Sequence, residues 1–183
     1  MNAAYAVRRA SAERDAAACA GVYAPYVTDS AASFEEVPPD ARAMAARIDA
    51  AHAWLVVEHE RDGVVGFAYG ARHQERAAYR WAADVSVYLA VAHHGHGLSR
   101  RLYSELFEIL RGQGMCVLCA GITQPNEASN AIHAALGFEP VGTYRRIGWK
   151  HGAWHDVTWL QLQLREDSPP PPLRGAPAPR AKS

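Results

Sequence analysis

Between residues 84 and 110 this chain changes period, and that change constrains its fold more than any other feature. From Asp84 to Leu89 the apolar residues Val85, Val87 and Leu89 alternate with Ser86 and Tyr88, the spacing of a half-buried strand. From Leu98 onward, Leu98, Leu102, Leu106, Ile109 and Leu110 share one face of a helix. Between them lies His93-His94-Gly95-His96-Gly97-Leu98-Ser99. A strand that runs through a glycine turn into a helix presents unpaired backbone N–H groups and the positive end of the helix dipole, which suits a phosphate. Gly95 and Gly97 let the backbone come close to a ligand, and Arg100 and Arg101 add charge. A plain turn is the other reading. The dinucleotide fingerprint G-x-G-x-x-G is not completed, because only Gly95 and Gly97 are present and no early βαβ unit precedes them.

Around this centre, helix and strand patterns interleave. A short strand around Val7 leads into a helix opened by Ser11, with Glu13 and Asp15 in its first turn and an end near Tyr26. Pro38, Pro39 and Asp40 open a second helix carrying Met44 and Ile48. Trp54 to Glu58 and Val64 to Tyr69 flank a turn ending in Asp62 and Gly63, a hairpin. After the central helix, stopped by Gly112 and Gly114, a strand is expected over Met115 to Ile122 and a helix over Glu127 to Leu136, closed by Gly137. Val141 to Trp149 and Trp154 to Leu164 form a last hairpin around His151 and Gly152. The order predicts an α/β chain of the α+β type, with a mixed sheet and helices on both faces. Residues 1–166 read as one domain. Residues 167–183, with Pro169 to Pro172, Pro177 and Pro179 and almost no large apolar side chain, read as a disordered tail.

The balance of charge narrows the function. The chain has 183 residues with 19 basic and 19 acidic side chains, so no bulk field favours nucleic acid or an anionic membrane, and any anion must be held by a local site. Export and membrane insertion are not expected, since no apolar core follows the first residues and no apolar run approaches the length of a span. Three cysteines, Cys19, Cys116 and Cys119, argue against a disulfide framework and for the cytoplasm. The C-x-x-C of Cys116 and Cys119 sits in a strand-like run without a second ligand pair, and His93, His94 and His96 have no cysteine or carboxylate at ligand spacing, so no metal is expected.

Strand, H-H-G-H-G-L-S, helix, strand and then ITQPNEASNAIHAALGF together resemble the GCN5-related N-acetyltransferases. More narrowly, VRRAS, AYRWAADVSVYLA, PNEAS, HAALGF and GWKHGAWHDVTWLQLQL, in this order from Val7 to Leu164, resemble the phosphinothricin acetyltransferase branch. The resemblance implies a sheet with splayed central strands and transfer of acetyl from acetyl-CoA directly to the α-amine of a small amino acid such as phosphinothricin or methionine sulfoximine. An acetyltransferase for another amine, such as a peptide N-terminus or a polyamine, and a non-catalytic CoA-binding module are the alternatives. It also implies roles. The pyrophosphate sits at His94, Gly95, His96, Gly97, Leu98 and Ser99, which depart from the family's Gln/Arg-x-x-Gly-x-Gly/Ala at the first and last positions. The backbones of Val87 and Leu89 pair with the pantetheine arm, and Asn126 contacts it unless it is only a helix cap.

Asp84 stands where the family has a glutamate proposed as base, one methylene longer, so the resemblance implies a base that acts directly or through a relaying water. The alternative for Asp84 is a solvated strand start. His133 falls where many members carry a tyrosine near the CoA sulfur; imidazole can donate a proton at neutral pH, which makes it the candidate general acid. Arg72 and Arg76 are candidates to clamp the substrate carboxylate, and Phe34 and Glu35 to supply an acceptor-site wall and a second acidic group. Trp149, Trp154 and Trp159 read as core or as the interface of a homodimer.

Overall fold

The computed structural model describes residues 4–175. Strand β1 (Tyr5–Arg9) leads to helices α1 (Ala12–Thr28) and α2 (Ala41–Ala50). Strands β2 (Ala53–His59), β3 (Gly63–Arg72) and β4 (Ala82–Leu89) follow, then α3 (Leu98–Gly112), β5 (Val117–Gln124), α4 (Glu127–Ala135), β6 (Glu139–Lys150) and β7 (Ala153–Gln163). Single 3₁₀ turns lie at Ala77–Tyr79 and Val91–His93. The order matches the one expected, though β3 runs three residues past Tyr69 and α1 continues through Pro25 to Thr28.

Helix starts follow the capping logic. The Asp40 carboxylate accepts from Ala43 N–H at 2.7 Å. At α1 the Ser11 hydroxyl makes no cap; Asp15 reaches back to accept the Ser11 N–H at 2.7 Å and is held by two hydrogen bonds from Arg8, each 2.8 Å. Arg8 also touches Glu58 on β2, so the ion cluster ties helix, first strand and second strand together.

One seven-stranded sheet runs in the order β1-β2-β3-β4-β5-β7-β6. All neighbours are antiparallel except β4 and β5, which are parallel and pair at only three positions, Ala82↔Val117, Ala83↔Leu118 and Asp84↔Cys119. Past Asp84 these two central strands part, so the expected splay is present. Two cores flank the sheet. Leu55, Val57, Ala68, Val85 and Leu118 pack against α3, while Trp54, Val56 and Phe67 pack against Cys19, Tyr23 and Met44 of α1 and α2. Side chains of a strand alternate between faces, so Asp84, between Ala83 and Val85 of the α3 face, points to the α1 and α2 side.

Part of the proline-rich segment lies on the domain. Trp81 Nε1 donates to Pro171 O at 2.8 Å, Arg174 N to Gln113 O at 2.8 Å, and Leu173 packs against the larger core. This differs from a free tail starting at Asp167. Trp81, just before β4, offers an indole N–H that needs an acceptor, and Pro171 supplies one. Residues 176–183 of the expected tail lie outside the described residues.

Candidate active site

Where β4 and β5 part, a cleft of about 330 Å³ opens. Val85 to Leu89 line one side and Ala120 to Thr123 the other, with Tyr26, His94, Gly95, Ser99, Tyr103, Asn126 and His133 around them.

The glycine turn forms one end. Gly95 has φ +80° and Gly97, the N-cap of α3, has φ +72°, the left-handed region that glycine enters without strain. The first backbone bond of the helix is Arg101 N to Gly97 O at 3.1 Å, and no N–H from Gly95 to Arg100 is paired with a protein acceptor among the described residues. A run of unpaired amides at a helix N-terminus fits a pyrophosphate. Of the six turn residues, His94, Gly95 and Ser99 line the cleft, whereas Leu98 is buried in the core and the exposed His96 ring lies 5.7 Å from that of Tyr5. The turn's three histidines diverge: His93 faces Tyr5 and Asp62, while His94 Nε2 lies 3.2 Å from Leu89 O.

The open edge of β4 is the second element. Leu89 sends both its N–H and its C=O toward the gap, where the Tyr26 hydroxyl accepts the first at 3.3 Å and donates to the second at 2.6 Å. The expected pantetheine contact at Leu89 is therefore taken by Tyr26. Val87, two residues back, points its backbone the same way and lies beyond the last pairing with β5, leaving it open to a strand-like partner. Asn126 fulfils its alternative: its side chain accepts from Ser129 N–H at 3.0 Å as the cap of α4, while the residue also lines the cleft.

Two titratable pairs stand at the fork. At the last rung, His73 Nδ1 lies 2.6 Å from Asp84 Oδ1. Burial pushes the Asp84 carboxyl up and the His73 hydrogen bond pulls it back part of the way. On the α3 side, His133 is 3% exposed. Its Nδ1–H donates to Ser129 O at 2.7 Å, and its Nε2 accepts from the Tyr103 hydroxyl at 3.2 Å. Burial lowers its pKa, opposed in part by the Ser129 bond, so its resting form is the neutral imidazole with both nitrogens engaged. It is at the cleft as expected, but it holds no free proton.

The expected acceptor-site residues divide. Phe34 packs its ring on Gly148 of β6, which has no room for a side chain, and sits near His155, making a wall between the α1–α2 loop and the last hairpin. Glu35 is not a free acid: Arg47 binds both its oxygens at 2.8 and 2.9 Å, Tyr23 donates to it at 2.9 Å, and chiefly the Arg47 bonds hold its carboxyl below the usual range. Lys150 fastens the same loop through the carbonyls of Val27, Ser33 and Glu35. Arg72 pairs with Ala83 in the β3–β4 register, so its side chain leaves from the face opposite Asp84 and meets Glu75 at 3.6 Å; this corrects its assignment as a clamp. Arg76 is exposed and opens the 3₁₀ turn whose Tyr79 ring lies 6.0 Å from His73. Trp159 covers Gly121 and reaches His73 at 5.9 Å, while Trp149 and Trp154 are exposed. His73, Tyr26 and Tyr103 were not foreseen.

Residues 9–159 match the model of the acetyltransferase (GNAT) domain. A phosphinothricin N-acetyltransferase of Streptomyces viridochromogenes is 36% identical over 92% of each chain. An L-methionine sulfoximine/L-methionine sulfone acetyltransferase of Salmonella typhimurium is 37% identical over 63% of this chain and 68% of its own. A phosphinothricin acetyltransferase from Sinorhizobium meliloti, solved with acetyl-CoA, superposes with a TM-score of 0.88 at 31% identity, covering 97% of this chain and all of the other. The chain belongs to the GNAT family of acetyltransferases and is an acetyl-CoA-dependent N-acetyltransferase. Within the family it falls in the phosphinothricin acetyltransferase branch.

Proposed function

We propose that the enzyme acetylates the α-amine of a small amino acid such as phosphinothricin or methionine sulfoximine at the point where β4 and β5 part. The observation that carries this reading is the end of strand pairing at Asp84↔Cys119, which opens a cleft between a free strand edge and a helix N-terminus and leaves a carboxylate at the fork beside it. Two relatives bear the names of these acceptors.

Acetyl-CoA supplies an activated acetyl group as a thioester. The amides from Gly95 to Arg100 hold its pyrophosphate, the Val87 backbone its pantetheine amides, and Asn126 flanks the arm. Asp84 serves removal of the first proton from the acceptor's ammonium. Once the C–N bond has formed, the nitrogen has a second proton to lose and the departing sulfur needs one. The neutral His133–Tyr103 pair can deliver only a proton it receives in the reaction, so it passes this second proton to sulfur. Phe34 walls the acceptor pocket, and Arg76 is the arginine left to bind the substrate carboxylate.

Val141, Tyr144, Ile147, Trp149 and Trp154, exposed together on the last hairpin, support a homodimer through that face, to be checked by light scattering. Three free cysteines support action in the cytoplasm. The functional test is release of free thiol from acetyl-CoA on adding methionine sulfoximine, phosphinothricin, peptides or polyamines. Turnover with the first two is expected. Turnover with peptides or polyamines alone assigns another acceptor, and acetyl-CoA binding without release to any amine leaves a binding module.

A further inference from the structure

We propose that His73 is the group that takes the proton from the acceptor's ammonium, and that Asp84 is the residue that positions it. The proposal rests on the functional reading above and names the proton acceptor within it. Asp84 is one methylene shorter than the glutamate that the family resemblance places there, and its carboxylate is already engaged by His73 at 2.6 Å. An ionised carboxylate only accepts, so the hydrogen bond fixes the proton on Nδ1 and leaves a lone pair on Nε2. Among the described residues, no hydrogen bond is made by Nε2. Nor is the ring sealed, since the His73 side chain is 20% exposed.

The ring is also in the right place. Trp159, whose ring centroid lies 5.9 Å from that of His73, sits over Gly121, with an indole carbon 3.3 Å from where a Cβ would stand. Gly121 lines the cleft two residues beyond the last rung of the fork. His73 thus stands beside the fork on the face that Asp84 shares, with Trp159 between it and Gly121 of the cleft. The other groups nearby are poorer bases. Burial, with the Asp84 charge second, pushes the Cys119 thiol up to about 11, so it stays protonated. Burial also raises Tyr69, and Glu35 is tied to Arg47.

The protons balance. The ammonium N–H bond breaks and an Nε2–H bond forms on His73. The freed nitrogen pair attacks the thioester carbon, C–N forms, C–S breaks, and sulfur takes the second proton through His133 and Tyr103. The His73 imidazolium, stabilised beside Asp84, returns its proton to solvent.

The test uses His73→Asn, whose amide can still donate to Asp84 but cannot act as a base, and His73→Ala with added imidazole. His73→Asn should keep the acetyl-CoA affinity and melting temperature of the wild type while kcat/KM for the amine falls about 100-fold or more. Imidazole should restore activity to His73→Ala in proportion to its free-base concentration. In proton NMR of the wild type, a downfield imidazole N–H signal should be present and should vanish in Asp84→Asn. If His73→Asn stays within about threefold of wild type, or folds and is inactive while imidazole restores nothing to His73→Ala, the proposal is overturned. Wild-type enzyme that releases no thiol with any amine overturns the functional reading as well. Active wild type with an unaffected His73→Asn overturns this proposal alone.

Discussion

The two histidine pairs at the fork look alike as contacts and differ in what they can do. His73 bonds to a carboxylate, keeps one nitrogen unengaged and is partly open; His133 bonds to a carbonyl and a phenol, uses both nitrogens and is 3% exposed. Burial pushes both sites toward neutrality, raising Asp84 and lowering His133, and in each a hydrogen bond draws the group part of the way back, from His73 for Asp84 and from the Ser129 carbonyl for His133. A histidine at the fork is therefore not defined by proximity. The partner on its other nitrogen decides whether it can give a proton, take one or only relay one.

The strongest break in this comparison is Asp84→Asn, which removes the orienting carboxylate. It should depress kcat/KM for the amine by roughly 100 to 10,000-fold in steady-state assays, with the acetyl-CoA affinity nearly intact. Gly97→Val touches neither pair, and its effect should have the opposite profile. A branched side chain at φ +72° strains the turn and crowds the pyrophosphate, so calorimetry should show acetyl-CoA affinity falling by about tenfold or more, in a protein that remains folded. An unchanged affinity would move the cofactor elsewhere.

His133→Phe should lower kcat by about tenfold, and the loss should shrink with a thioester whose thiol is more acidic, because a better leaving group needs less help. Asp84→Asn should show no such recovery. An equal loss with both thioesters would reduce His133 to packing. The smallest effect concerns stability. The folded pKa of His133 is depressed, so the unfolded imidazole binds protons more readily. Its contribution is then full above the unfolded value of about 6.5 and is lost as the pH falls below it, at no more than about 1.4 kcal/mol per pH unit. Urea unfolding should show that slope between about pH 7 and pH 5 in the wild type and a flatter one in His133→Phe.

Much of the fold was legible because period and punctuation agreed. The switch from Asp84–Leu89 to Leu98–Leu110, the Asp40 cap and the Gly137 stop each spoke for one element. The glycine turn was legible for the same reason, since the placement of its backbone amides follows from strand, glycine and helix. The acceptor side was not, because there the decisive facts are register and parity. With β3 read only to Tyr69, Arg72 looked like a loop residue, and only the pairing of Ala71 with Asp84 and Arg72 with Ala83 sends its side chain to the wrong face. His73 and Asp84 are eleven residues apart, and nothing local announces their bond. Glu35 looked free because Arg47, its partner, comes from the next helix.

The three rungs between β4 and β5 also have a mechanical meaning. They join one plate, β1 to β4 with α1, α2 and α3 against it, to another made of β5, β7 and β6, and the weld is far shorter than the ladder of eight pairs between β5 and β7. Asp84 closes the last of these rungs, so its orientation and the angle at which the strands part are set at one place, while the core on α3 spans both plates through Leu118. On the proposed reading, the width available to a pantetheine arm and the aim of the His73–Asp84 pair meet at that last rung.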